Sequence, residues 1–426
     1  MKNYSTLNDI LKDETANFIK DLTKGLNKVD THFITDVTSG ILKHNSVNLS
    51  DIVRQTGKTN IKKGVERLER HLDSFNDISN KIQQNYEAMV KPYINARKLY
   101  FVDRSDITKQ ENTKFENMGY VLDGSKEHKV SKGYQINEIA TLDNSNQPIS
   151  LVSELRSAND GAYKSDNVLW SNHIEYVSNT YGKGTFIMDR GFDGAILMEK
   201  VLKTSSDFII RAKCLTRNVF VNGEKTTIRN IAIKHKGQYK FNSRGQNLKV
   251  YSTPIKIKSS DAKELKNHQL TLIIVKGFTL DKNTLNEAYM ALITSRTTIG
   301  KNDVLQVVRD YLLRWKIEEN FKYKKQQFSL EKIMVRRYKR IQALNALLSY
   351  VMFFSNVINL KALGKTIRKT KIQLKKEIKF WLYRVSEGIK EIMSFLSMEL
   401  MKILYPKRQP RRRDLWTVCG IAFRPY

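Results

Sequence analysis

The 426-residue chain reads as an α/β protein with a mixed sheet at its centre and helical regions at both ends. Three observations predict this. Short apolar runs alternate with a helical stretch between Lys98 and Asp189, strand-like runs follow one another from Asp207 to Arg296, and helical spacing dominates before residue 97 and after Lys325.

From Thr6 to about Ala96, apolar residues recur at spacings of three and four, as in ILKDETANFIKDLTKGL and GVERLERHLDSF. Asn48-Leu49-Ser50-Asp51 offers a cap before IVRQTG, and Gly57 followed by Thr59-Asn60-Ile61 breaks that helix before a basic one carrying Lys62, Lys63, Arg67 and Arg70. Two short helices joined by a tight turn read either as a helix-turn-helix reader of DNA or as an ordinary bundle with a basic surface. At Lys98 the texture changes. KLYFVD reads as a short strand ending in Asp103, YQINEIATLD and PISLVSEL as a hairpin around Asn144-Ser145-Asn146-Gln147, and SDNVLWSNHIEYVSNTYG as a helix stopped at Gly182. GTFIMD is a second buried strand ending in Asp189, after which DRGFDG leads into the helix AILMEKVLK. Between Asp207 and Arg296 the runs DFIIRAK, NVFVNG, GQYKFN, LKVYSTPIKIK, HQLTLIIVKG and YMALITSR are strand-like, with turn signals at Asn222-Gly223 and Gly245. FSLEKIMVRRYKRIQALNALLSYVMFFSNVI then reads as one helix or two. Residues 361–426 read as helical and basic, ending in PKRQPRRRD, a run that serves equally as a solvated tail or as a phosphate contact.

Composition narrows the partners. Lys and Arg number 74 against 43 Asp and Glu, and the resulting charge of +31 is spread along the whole length, which points to a long polyanion, nucleic acid, rather than a small acidic ligand. A membrane partner is not expected: no lipidation signal or signal peptide accompanies the charge, and the uncharged run Ile341 to Leu360 carries Gln342, Asn345, Ser349, Ser355, Asn356 and Asn359, which fits a buried helix better than a spanning one. Cys214 and Cys419 have no CxxC or HxxxH companions, so a zinc cluster is excluded and buried, reduced thiols in a cytoplasmic protein are expected.

The chemistry is concentrated in Tyr311 to Lys325, YLLRWKIEENFKYKK. Wound as one helix, it places Tyr311, Arg314, Glu318, Lys322 and Lys325 within an arc of roughly 80°, while Leu313, Ile317, Phe321 and Phe328 form a neighbouring apolar stripe. Taken alone, residues spaced four apart are better explained by a solvated helix. Asp103 and Asp189 change the balance, because each directly follows a hydrophobic strand, where ligands of open α/β sheets gather. Three carboxylates without Cys or His are the donors that a pair of magnesium ions requires. Asp106 and Glu319 compete for two of the three places. Asp103 is preferred because it alone directly follows KLYFV, and Glu318 because it stays near the axis through Tyr311, whereas Glu319 falls about 80° away.

These residues carry a resemblance. DRSD at 103–106, DRGFDG at 189–194 and Tyr311-x2-Arg314-x3-Glu318-x6-Lys325 resemble the three signatures of bacterial insertion-sequence DDE transposases of the YREK type, over roughly residues 50–360. The resemblance implies a ribonuclease-H-like catalytic core at 97–204 and 297–360, a β-rich insertion at 205–296, a helical DNA-binding domain at 1–96 and a helical basic region at 361–426 used in pairing. It implies that Asp103, Asp189 and Glu318 are catalytic metal ligands for two Mg2+ ions, with Mn2+ as substitute. Tyr311, Arg314 and Lys325 would hold DNA phosphates, with Lys322 and Arg190 as further contacts. It also implies cut-and-paste chemistry through a hairpin by a homodimer on double-stranded DNA, at inverted repeats and at target, in the bacterial nucleoid. Relatives often stack a tryptophan of the insertion on a flipped base. Here Trp170, Trp315, Trp381 and Trp416 all lie outside it, leaving Phe220, Tyr239 or Phe241 for that place. A nuclease of the same core without strand transfer, and a repeat-binding regulator that does not cut, are the rival functions.

Overall fold

The computed structural model describes residues 4–54, 60–109, 114–123, 129–243, 245–277, 289–370, 380–394 and 400–405. The run PKRQPRRRD, Cys419, Trp416 and the turn residues Gly57 and Thr59 lie outside the described residues.

Five helices come first: α1 (Tyr4–Leu22), α2 (Lys28–His44), α3 (Leu49–Arg54), α4 (Ile61–Asp73) and α5 (Asn76–Val90). Their starts follow from side-chain capping, as where Asn27 accepts from the Asp30 N–H at 2.9 Å and Asn60 from that of Lys63 at 3.0 Å. The sheet region begins with β1 (Leu99–Thr108), β2 (Gly119–Asp123), β3 (Lys129–Leu142) and β4 (Pro148–Arg156). After α6 (Asp166–Tyr181) come β5 (Thr185–Met188), α7 (Ala195–Lys203) and β6 (Asp207–Arg211). The strand-rich block continues with β7 (Asn218–Val221), β8 (Glu224–Thr227), α8 (Ile228–Lys234), β9 (Tyr239–Ser243), β10 (Gln246–Ile255), β11 (Leu270–Lys276) and β12 (Tyr289–Thr294). The last helices are α9 (Lys301–Leu312), α10 (Trp315–Lys322), α11 (Tyr338–Leu360), α12 (Ala362–Thr370), α13 (Leu382–Ser394) and α14 (Leu400–Leu404).

Among the described residues one ten-stranded sheet runs β2-β3-β1-β5-β6-β12-β11-β10-β9, with β4 paired to β3. β1 is antiparallel to β3 and parallel to β5, and β5 is parallel to β6. From β6 outward every pairing is antiparallel. The strand-rich block is therefore hydrogen-bonded into the same sheet through β6 and β12. Only β7 and β8 stand apart, as a hairpin whose turn residues Asn222 and Gly223 have φ of 50° and 89°, the left-handed pair of a tight type I′ turn.

The uncharged run becomes α11, which starts at Tyr338, and 89% of its apolar window is buried inside the protein. Its amides explain why a core helix carries polar residues. Gln342, Asn345 and Asn356 donate to the carbonyls of Leu155, Ser153 and Pro148 of β4 at 3.1, 3.0 and 2.7 Å. Helices from the two ends of the chain also pack on α11: Phe353 packs against rings of α1 and α5, Arg340 pairs with Glu69 and Asp73 of α4, and α12 and α13 lie against it from the C-terminal side.

Three expectations need correcting. The strand KLYFVD does not end at Asp103; β1 continues to Thr108 because Asp103 to Thr108 pair in unbroken register with Gly133 to Glu138 of β3, which holds the polar stretch DRSDIT in the ladder. Tyr311 to Lys325 is not one helix. Leu313 and Arg314 form a tightened turn, with bonds from Leu313 to Asp310 and Arg314 to Tyr311 at 3.2 and 2.9 Å, and after Lys322 the backbone widens into a π turn over Tyr323–Gln327. The end of α9 is fixed by buried Asp310, which accepts from Arg97, Arg296 and Gln306, while α10 is fixed by burial of Ile317 and Phe321, and the turn joins the two. Cys214 is exposed rather than buried, because it lies in the connection after β6.

Candidate active site

Directly paired residues of antiparallel strands share a face. Asp103 of β1 is paired with Glu138 of β3, and Glu138 with Ser153 of β4, so the three stand in a row on the face covered by α10 and α11. The next residue along β1, Arg104, points to the opposite face, where it meets Asp166 of α6 at 2.7 Å and lies 5.5 Å from the Phe192 ring. Val102 pairs with Met188 in the parallel strand β5, so Asp189 is the neighbour of Asp103 one residue beyond that register. Asp189 begins the short turn Arg190–Phe192, anchored by Phe192 edge-on to Trp170 at 5.0 Å. Buried Asp193 holds the rest of DRGFDG by accepting from the backbone N–H of Lys213 at 2.7 Å and from Arg217.

Arg314 joins the segments. Its Nη1 donates to Asp103 Oδ2 at 2.8 Å, and its Nη2 donates to Glu318 Oε1 one helical turn further on. Tyr311 donates its phenol O–H to Asp189 Oδ1 at 3.4 Å. Acids from residues 103, 189 and 318 are thus gathered around one guanidinium and one phenol. Burial pushes the Asp103 carboxyl up to about 6; Arg314 and the Arg104 N–H hold it back, and the charges of Asp189 and Glu318 add to the rise. Burial, with Asp189 adding to it, pushes the Tyr311 phenol up to about 12. Burial would lower the Arg314 guanidinium, but Asp103, Tyr311, Glu318 and Asp189 outweigh it and raise it.

The competing acids point elsewhere. Glu319 pairs with Lys322 at 2.9 Å, and Asp106 lies 3.8 Å from Lys325 Nζ. Arg190 is exposed beside Asp189. Two further cations belong to this region: Arg211 at the end of β6, whose charge lowers the Tyr311 phenol, and Lys324, whose signal in the sequence is a cation on the stripe of Ile317, Phe321 and Phe328. Among the described residues no three potential ligands stand close enough to hold a metal ion. The donor chemistry still fits a hard cation: three carboxylates, two of which are paired here with the Arg314 guanidinium.

A mixed α/β sheet that collects acidic side chains around an arginine, in a chain of formal charge +31, suits a protein that handles phosphates of a polyanion. The family profile described as "Transposase DDE domain" matches residues 95–353, and the chain belongs to that family of DNA-acting enzymes. None of the curated proteins matches it. Among solved structures it is similar to the NurA nuclease from Sulfolobus solfataricus at 10% identity and a TM-score of 0.24, over 63% of this chain and 98% of the nuclease, a likeness too remote to bear on fold or activity.

Proposed function

We propose that this transposase cleaves the ends of its element at inverted repeats and joins the freed 3'-hydroxyls to target DNA, acting as a homodimer on paired ends. The observation that carries the reading is Arg314 drawing Asp103 and Glu318 to one guanidinium, with Asp189 reached by Tyr311. The strand order β4-β3-β1-β5, whose first two pairings are antiparallel and whose last is parallel, supports a ribonuclease-H-like core at 97–204 and 297–360. In this reading 205–296 is the insertion, sharing the sheet through β6 and β12, residues 1–96 bind the ends, and 361–426 serve pairing.

Asp103, Asp189 and Glu318 would hold two magnesium ions, which supply activation of water or a 3'-hydroxyl and neutralise charge on the scissile phosphate and leaving oxygen. Arg314, released from the two carboxylates, would turn its fork of donors to a phosphate, which it matches better than a lysine does. Tyr311 donates to Asp189 and orients it, and Lys325, Lys322 and Arg190 would add phosphate contacts around the cut end. Nicking, attack of the freed 3'-hydroxyl on the opposite strand, hairpin reopening and joining would all use this one site.

DNA flanking the gene supplies the repeat ends for the test. Labelled ends with magnesium and target DNA should give cut and joined products. Asp189→Ala should abolish cutting while end binding persists, and a variant that cuts at the normal rate removes Asp189 from the site. Cutting without joining would reduce the protein to a nuclease, and binding without cutting, in magnesium or manganese, to a regulator.

A further inference from the structure

Beneath the acidic cluster lies an ion pair that the chemistry above does not use. Lys324 and Glu138 are both 0% exposed, with Nζ to Oε2 at 2.6 Å. Every donor and acceptor of the pair has a counterpart. Lys324 also donates to Ser153 and Ser349 at 2.7 and 3.2 Å, and Glu138 Oε1 accepts from Ser150 and Asn320 at 2.6 and 2.5 Å. Neither residue can reach DNA, so the pair acts through what it joins.

What it joins is the two halves of the site. Glu138 is the residue paired directly with Asp103, on the same face of the sheet. Asn320 and Lys324 stand two and six residues beyond Glu318 on the segment that carries it, and both close on Glu138. Lys324 and Lys325 both lie in the π turn at Tyr323–Gln327, Lys324 buried against Glu138 and Lys325 3.8 Å from Asp106 of β1. Apolar side chains would fill this space without fixing rotation or register, because their contacts are non-directional.

We propose that the Lys324–Glu138 pair is a positioning lock, holding the helix that carries Glu318 at a fixed rotation and height over the strand that carries Asp103. The inference rests on the assignment of Asp103, Asp189 and Glu318 to the reacting site. Its residues are positioning residues, not catalytic ones.

The test uses the full chain with Glu138→Gln, which keeps shape and removes the charge, and with Glu138→Gln and Lys324→Met together, which removes both charges and keeps volume. Thermal unfolding reports folding, labelled end DNA reports binding, electron paramagnetic resonance reports binding of manganese, and cleavage at varied DNA separates kcat from KM. Expected are cooperative unfolding, unchanged end binding and KM, weaker manganese binding, and a kcat lower by roughly 10–100-fold, the scale of a misplacement near 1 Å. A purely structural pair would lower the melting temperature and leave kcat of the folded enzyme alone. A folded double variant with wild-type kcat and manganese affinity overturns the lock. Asp189→Ala, run in parallel, separates the two failures: cutting by that variant sinks the site assignment, whereas an inactive Asp189→Ala beside a fully active double variant sinks the lock alone.

Discussion

Arg314 is the residue on which the acidic cluster turns. Its two terminal nitrogens serve Asp103 and Glu318 separately, so removing it leaves a half-buried Asp103 facing another carboxylate without a cation between them. Arg314→Ala should cost about 1.5–3 kcal/mol of stability in the absence of metal, counting only the bond to Asp103 because Glu318 lies open to water. Added magnesium should restore part of that loss by binding the folded form alone. Melting curves with and without the ion measure both effects, and an unaltered curve for the metal-free variant would deny Arg314 its bridging place. Lys325 has a different fate. At 3.8 Å from Asp106 it is loosely held and available to a phosphate, so Lys325→Ala should weaken DNA binding and reduce its salt slope by about one unit. A slope that does not change counts against the contact. The approach of Arg314 to Asp103 and Glu318 was legible from an acid placed directly after an apolar strand run and from the four-residue spacing of Arg314 and Glu318. Glu138 and Lys324 were not, since a single buried cation among aromatic neighbours reads as a solvated lysine until the strand opposite it is known.

At the scale of elements, the strands were the most legible, because runs such as KLYFV and TFIM contain little that a helix or loop would choose. The continuation of β1 through DRSDIT was hidden: its polar residues have low strand propensity, and only pairing with β3 keeps them extended. The break at Leu313-Arg314 was hidden for the opposite reason, since neither residue is a glycine or proline and the tightened turn comes from what pins α9 and α10 on either side. Two close approaches shape the N-terminal helices. A Cβ on Gly40 of α2 would lie 2.8 Å from the Ile52 backbone, and one on Gly64 of α4 would lie 2.4 Å from a Val53 methyl, so α3 is seated between two glycines. Gly40→Ala should overpack this joint and cost about 1–3 kcal/mol, measured by chemical unfolding, with end binding weakened if α3 and α4 read the repeats. A stable variant would show that α3 can shift freely. Asp73 ties α4 to α11 through Arg340, and the hydrogen bond from that arginine, opposed by partial burial, holds its carboxyl below the ordinary 3.8. A lowered carboxyl contributes stability that is present above 3.8 and lost as pH falls through its folded value, so Asp73→Asn should flatten the acid limb of the stability profile while changing neutral stability by about 1 kcal/mol or less. An acid limb identical to that of the wild type would remove Asp73 from it.

Across the whole molecule, α11 does what no single strand or terminal helix does. One side satisfies carbonyls of β4, and through β4 and β3 it reaches the strand that carries Asp103; the other side receives α1 and α4, and α12 and α13 also pack on it. A chain with formal charge +31 repels itself, and a shared pillar keeps its basic helical region from separating from the sheet when no DNA is present to neutralise it. If this is so, loosening α11 must loosen both layers together. Phe353 is 2% exposed and meets Phe18, Tyr86 and Tyr93 with ring centroids 6.4, 5.5 and 5.4 Å away. Phe353→Ala removes that contact and should cost about 3–5 kcal/mol. Hydrogen exchange followed by mass spectrometry should then show protection falling in β1 and β5 as well as in α1 and α5. Loss confined to α1 and α5, with β1 and β5 as protected as in the wild type, would mean that the helical ends and the sheet open independently and that α11 belongs energetically to only one of them.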